Sequence, residues 1–313
     1  MRIHLSGVNP TDTKFRSGVT MAGFSTAGGT VPGQDGAGVV VDTGAGVKLQ
    51  PGDRVWLWEC TWLRCEGTAQ EFVVVPESHA VPLPDSAPWE LGASLGIPGL
   101  TAHRCLTVGD GAPSVLEPGS LAGRTVLVAG GAGAVGHMAI QLAVWAGARV
   151  AATVRSPGKA GRALAAGAQL VVNPNDEIDA VSQVRAWAPE GVDTVVEVAP
   201  VSNADLNHAV VGYNATIAVY ANEASSLALD VRALMVANTR YQFVLVYLVP
   251  DAAKAAGVAA LRSAVEQGAL SVGDGAGLPI RPHALSDMVG AHRAVERGAD
   301  GKVVLDLRGD TAG

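Results

Sequence analysis

One short passage near the middle of the chain constrains the fold more than any other. Thr125-Val126-Leu127-Val128-Ala129 is apolar and of strand length, and Gly131-Ala132-Gly133-Ala134-Val135-Gly136 follows it. Residues 137–146 then have helical spacing, with Ile140, Leu142, Ala143 and Ala146 on one broad face. A buried strand, a glycine turn and a helix in that order predict a βαβ unit. Further apolar strands are predicted at 149–154, 170–172, 192–198, 215–220 and 241–249, with helices at 159–166, 180–187 and 204–211. The fold class that follows is α/β, with a doubly wound parallel sheet over residues 98–249.

The rest of the chain reads differently. Residues 1–97 carry short segments at 39–41, 54–57 and 71–75 that suit strands, separated by Pro32-Gly33, Gly44-Ala45-Gly46 and Pro51-Gly52-Asp53. They predict a compact β-rich domain, a barrel or sandwich. Residues 250–313 contain helical stretches at 251–267 and 285–295 and a last strand at 302–307, and are expected to return to that first domain.

The glycine loop fits the dinucleotide-binding fingerprint, and its place between strand and helix is what the mechanism requires. Gly131 is expected at the tight turn, Gly133 where backbone approaches a pyrophosphate, and Gly136 where helix meets strand. The free N–H groups of the helix start would face the phosphates. About twenty residues on, an NAD-specific site places a carboxylate for the ribose hydroxyls. Here Thr153-Val154-Arg155-Ser156 is followed by Lys159, with no carboxylate. Arg155 and Lys159 would pair with a 2′-phosphate, so the expected cofactor is NADPH.

A formal charge of −7 excludes a polyanion as the main partner, so no nucleic acid is expected. Three cysteines, Cys60, Cys65 and Cys105, cannot build a disulfide framework. The longest plainly apolar run, 243–249, is too short to span a bilayer, and no signal-type segment opens the chain. The expectation is a cytoplasmic protein without membrane attachment.

Several ordered motifs resemble the zinc-free quinone oxidoreductase branch of the medium-chain dehydrogenase/reductases, the zeta-crystallin type. They are Gly7-Val8-Asn9-Pro10, Pro32-Gly33-Gln34-Asp35-Gly36-Ala37-Gly38, Pro51-Gly52-Asp53-Arg54-Val55, Leu95-Gly96-Ile97-Pro98-Gly99-Leu100-Thr101-Ala102, the glycine loop, and Gly301-Lys302-Val303-Val304. The resemblance implies a GroES-like catalytic domain (1–97 and 250–313), a Rossmann domain and a homodimer joined through the Rossmann sheets. It implies no zinc: metal-dependent relatives carry a cysteine at Asn9 and a His-Glu pair at Gln34-Asp35, and neutral amides are poor zinc ligands. It places Ala132, Gly133, Ala134 and Val135 at the pyrophosphate, and Asn203, Tyr220, Ala221, Asn222, Glu223, Leu245, Val246 and Tyr247 around the rest of the cofactor. Asn9 and Thr101 would lie near the nicotinamide.

Four departures stand out. Relatives often carry tyrosines at Lys14 and near Thr20, an aromatic at Pro174, and a leading hairpin before the strand in which this chain starts. The implied reaction is hydride transfer from NADPH to a quinone or an α,β-unsaturated carbonyl. Asn9, Lys14 and Thr101 are the candidates to meet charge on the substrate oxygen. Two alternatives stay open: a reductase for one enoyl thioester or ketone, and an NADPH-binding protein with a structural or regulatory role.

Overall fold

The computed structural model describes residues 1–19 and 28–309. In chain order its strands and helices are β1 (Arg2–Gly7), α1 (Pro10–Arg16), β2 (Asp35–Val39), β3 (Arg54–Leu57), β4 (Ala80–Pro82), α2 (Trp89–Thr107), β5 (Thr125–Val128), α3 (Ala134–Trp145), β6 (Arg149–Thr153), α4 (Ala160–Ala165), β7 (Leu170–Val172) and α5 (Glu177–Trp187). They continue with β8 (Val192–Glu197), α6 (Ala204–Val210), β9 (Val211–Val219), α7 (Val231–Ala237), β10 (Arg240–Phe243), α8 (Asp251–Glu266), β11 (Ile280–Ala284), α9 (Met288–Glu296) and β12 (Lys302–Asp306). The chain divides into two compact units. One holds Met1–Pro98, Ser271–Asp274 and Pro279–Gly313, and the other Gly99–Leu270 and Gly275–Leu278.

The first unit is built on a six-stranded sheet of order β11-β12-β1-β2-β3-β4. All its pairs are antiparallel except β11 with β12. Ile3, Val55, Leu57, Cys60, Val303 and Leu305 fill its core. β11 carries Pro282, a residue that a strand tolerates at a sheet edge, and the prolines around it hid this strand in the sequence.

In the second unit the order is β10-β9-β8-β5-β6-β7, and every pair is parallel. Counted from β5 this is 6-5-4-1-2-3, the doubly wound Rossmann order. Leu127, Val195 and Ile217 are wholly buried at its centre. The order reverses where β5 lies between β6 and β8, which makes the carboxyl ends of β5 and β8 the crevice of the fold.

Several expectations shift. The segment 71–75 forms no strand: it holds one bridge, Arg2 to Phe72, and leaves Phe72 and Val74 exposed. The strand expected at 39–41 is Asp35–Val39, and that expected at 241–249 stops at Phe243, before a 3-10 turn at Val246–Leu248. Pro98, where the doubly wound domain is expected to begin, lies inside the nineteen-residue helix α2. Helix α8 groups with the second unit, where Leu261 fills the space left by Gly99. Thr20, one of the departures named above, lies outside the described residues.

Candidate active site

In the second unit β5 runs into the glycine loop. The residue with left-handed backbone is Gly130, at φ 67°, one position before the fingerprint's first glycine. Gly131 sits instead against Ala152, Ile140 and Ala163, where a Cβ would come within 2.8 Å of the nearest. A Cβ on Gly136 would lie 2.4 Å from the Gly130 carbonyl oxygen, so the first turn of α3 presses on the loop itself. Thr153 fixes the loop from β6: its carbonyl accepts the Gly131 N–H at 3.0 Å, and its hydroxyl accepts that of Gly130 at 3.3 Å. Gly133 is the exposed N-cap of the twelve-residue α3, and the first intrahelical N–H to find a partner is that of His137. The N–H groups of Ala134, Val135 and Gly136 precede it at the positive end of the helix, a cradle suited to a phosphate anion. Ala132 is half-buried on the same loop.

Arg155 follows β6 and is exposed, and Lys159 closes the 3-10 turn Pro157–Lys159. The end of β6 thus carries two cations and no carboxylate before Asp176. Asn203 is the buried N-cap of α6, and its amide donates to Glu197 at 2.9 Å. Tyr220, Ala221, Asn222 and Glu223 follow β9, with Glu223 accepting the Ser202 N–H at 2.7 Å. Leu245 is exposed while Val246 and Tyr247 are buried; the buried Lys254 donates to the Tyr247 carbonyl at 2.9 Å. Thr101 is buried in α2, as is His103, whose pKa burial pulls down to about 4, leaving the imidazole neutral.

The first unit holds a buried ionic cluster that joins opposite ends of the chain. Asn9 donates its amide N–H to Asp35 Oδ2 at 2.7 Å, and its Oδ1 accepts from the Lys302 ammonium at 2.8 Å. Lys302 Nζ is also 3.7 Å from Asp35 Oδ2, and the Ile97 N–H donates to Asp35 Oδ1 at 2.8 Å. Asp12, on α1, accepts the backbone N–H of Asn9 at 2.8 Å and that of Gly33 at 3.3 Å. Burial drives both carboxyls upward, Asp12 to about 7, and pulls the Lys302 ammonium downward. Two carboxylates and one ammonium, all out of water, leave an excess negative charge that a proton on Asp12 removes.

This site differs in character from the sequence expectation. Asn9 is 3% exposed and its amide already serves Asp35 and Lys302, while Lys14 is exposed on α1. Asp12, Asp35, Lys302 and Glu197 were not singled out as site residues. Asp35 and Lys302 did stand inside recognised motifs, and that was the available signal. Gln34 is buried with its amide oxygen accepting the Thr61 N–H at 3.2 Å. Among the described residues no group of three or more His, Cys, Asp or Glu could hold a metal ion.

Two family models match the chain: the alcohol dehydrogenase GroES-like domain over residues 1–85 and the zinc-binding dehydrogenase domain over residues 134–261. The chain belongs to the medium-chain dehydrogenase/reductase family. Rat quinone oxidoreductase is 32% identical over 199 residues, 63% of this chain and 56% of the rat protein, so the match spans little more than half of that relative. Pig quinone oxidoreductase is 27% identical over 312 residues, 98% of this chain and 88% of the pig protein. A mycobacterial family member solved in complex with NADPH has 28% identity and a TM-score of 0.79, over 98% of this chain and 90% of that one. Among the described residues no helix is long and apolar enough to cross a membrane.

The cluster predicts a pH effect with a definite sign. Folded Asp12 keeps its proton up to about pH 7, whereas the unfolded chain loses it near pH 4. The folded state therefore binds more protons across that window, and this contribution to stability declines as pH rises through it, by up to about 1.4 kcal/mol per unit. Urea unfolding of wild type and Asp12→Asn at pH 5 and pH 8 should show the stability of wild type relative to the variant falling at the higher pH. An unchanged difference would mean that Asp12 is ionised throughout.

Proposed function

We propose that this chain is a zinc-independent, NADPH-dependent oxidoreductase that reduces a quinone or an α,β-unsaturated carbonyl compound. The observation that carries the reading is the glycine cradle at the reversal point of a Rossmann sheet, with Arg155 and Lys159 and no carboxylate at the end of the next strand. The mycobacterial neighbour solved with NADPH and the quinone oxidoreductases among the relatives support it.

When bound, NADPH supplies the hydride. Ala132, Gly133, Ala134 and Val135 take the pyrophosphate, with the N–H groups of the first turn of α3 as donors. Arg155 offers the 2′-phosphate a bidentate fork and Lys159 adds a point charge. Asn203, the segment from Tyr220 to Glu223 and the turn at Leu245, Val246 and Tyr247 hold the remainder. Negative charge that develops on the substrate oxygen is met by hydrogen-bond donors, namely the second amide hydrogen of Asn9, the Lys14 ammonium and the Thr101 hydroxyl. Asn9 also fixes the start of α1 through Asp35 and Lys302.

Zinc does not suit the residues present. Its preferred donors are thiolate, imidazole and carboxylate. At the corresponding positions stand the amides of Asn9 and Gln34, with the Lys302 ammonium already against Asn9 Oδ1 and near Asp35. A cation bound there would face that ammonium. Exposed Lys14, standing where relatives often have tyrosine, favours a second reading in which the acceptor is an anionic enoyl thioester.

The test is NADPH oxidation with a simple 1,4-quinone, with NADH and an enoyl thioester run beside it. Quinone turnover that favours NADPH and survives dialysis against a zinc chelator is expected. Arg155→Ala should raise KM for NADPH about tenfold and leave that for NADH unchanged, the scale of one lost charge-assisted contact. Equal use of both cofactors would remove the role given to Arg155.

We further propose a homodimer paired along the β10 edge. Phe243 at the end of that strand and Leu245 just after it are exposed, as are Met235 and Val236 on the preceding helix α7. Sedimentation should give a dimer for wild type and a monomer for Val236→Glu; a monomeric wild type would refute it.

A further inference from the structure

Strand β8 ends at Glu197, whose carboxylate is wholly buried. Its Oε1 accepts the backbone N–H of Ala199 and the amide of Asn203 at 2.9 Å, and its Oε2 accepts the amide of Asn207 at 2.6 Å. Its backbone carbonyl takes the Tyr220 N–H at 3.0 Å. All of these donors are neutral. Among the described residues no lysine, arginine or histidine forms an ion pair with it. Burial pushes its pKa up, and the surrounding N–H groups offset part of that rise. Buried carboxylates are ordinarily paired with a cation, because amide hydrogen bonds fix the group without cancelling its charge.

The position is as unusual as the environment. β8 pairs with β5 at the reversal of strand order, so Glu197 stands at the crevice end of the sheet. The next residue, Val198, faces the glycine loop: a Cβ on Gly130 would lie 3.1 Å from Val198 Cγ1. The charge itself lies under α6, against Asn203 and beside Tyr220, two of the residues proposed above to hold the part of the cofactor beyond the pyrophosphate.

We infer that Glu197 is an electrostatic positioning residue that makes the site favour the oxidised nicotinamide, which is positively charged, over the neutral reduced one. This rests on the reading that the crevice binds the dinucleotide. The cation missing around Glu197 is supplied by the ligand in one redox state only. The same attraction assists hydride donation. As the C4–H bond breaks, its electron pair leaves with hydrogen for the electrophilic carbon of the acceptor, and positive charge grows on the ring. The acceptor is reduced by two electrons, the cofactor is oxidised, and a solvent proton completes the product. A fixed negative charge close by stabilises that developing charge more than the ground state.

The experiment compares dissociation constants for NADPH, by its fluorescence, and NADP⁺, by competition, in wild type, Glu197→Gln and Glu197→Asp. Gln is close in size to Glu, and Asn207 can turn its amide to match it. The expected result is that Kd(NADP⁺)/Kd(NADPH) rises about tenfold in Glu197→Gln, the scale of one charge acting across several ångströms of protein. NADPH affinity should change less than about threefold, and Glu197→Asp, which keeps the charge, should hold the wild-type ratio. Should the Gln variant not fold, Asn207→Lys places a neutralising cation beside Oε2 and should raise the ratio in the same direction. A ratio unchanged in a folded, NADPH-binding Gln variant would overturn the proposal and leave Glu197 a structural anchor. A wild type that binds neither nucleotide would instead overturn the reading of the crevice, and the proposal with it.

Discussion

The first unit depends on one ammonium group. Lys302 comes from the last strand, yet its Nζ lies against the side chain of Asn9, 293 residues earlier, and near the Asp35 carboxylate. Neither charge is stable in that interior alone, since a buried charge without its partner costs several kcal/mol, and the Asn9 amide needs its hydrogen bonds there too. Each is held because the others are there. The cluster thereby fixes β12 beside β1, the start of α1 and the start of β2, and Asp12 extends it to Gly33 through a single N–H. Asp12, its third ionisable member, carries the proton that keeps the net buried charge small.

The second unit uses the opposite device, the removal of side chains. Gly131 and Gly136 permit contacts that a single Cβ would close, and the result is a tight loop that leaves backbone N–H groups at the positive end of α3. Charge stands at two places near it. Arg155 and Lys159 bring positive charge after β6, and Glu197 brings a buried negative charge at the end of β8. A ligand with an anionic phosphate end and a ring that turns cationic on losing hydride matches both.

Much of this was legible in the sequence because it rests on local rules. Fully apolar strands such as 125–129 announce a sheet buried on both faces, and glycine spacing announces the turn that follows. What local rules could not supply was the partner. Asn9 reads as a free amide beside Pro10, and only the fold shows its amide held by Asp35 and Lys302. Glu197 reads as the polar end of a strand, and its burial follows from Asn203 and Asn207 closing over it. Helix α2 was hidden because Gly96, Pro98 and Gly99 look like turn residues; packing, as of Gly99 against Leu261, overrides their propensity. The turn glycine was misplaced by one residue for a related reason, since Gly130 and Gly131 differ only in backbone angle and neighbours.

At the centre stands the proposed preference for NADPH over NADH, given by Arg155 and Lys159 after β6 beside a glycine loop that serves both nucleotides. Calorimetric titration of the wild-type protein with NADPH and then with NADH tests it most directly. One NADPH per chain should bind, at least tenfold more tightly than NADH, as expected for a 2′-phosphate paired with an arginine. Tighter binding of NADH, or no heat from either nucleotide, would contradict it.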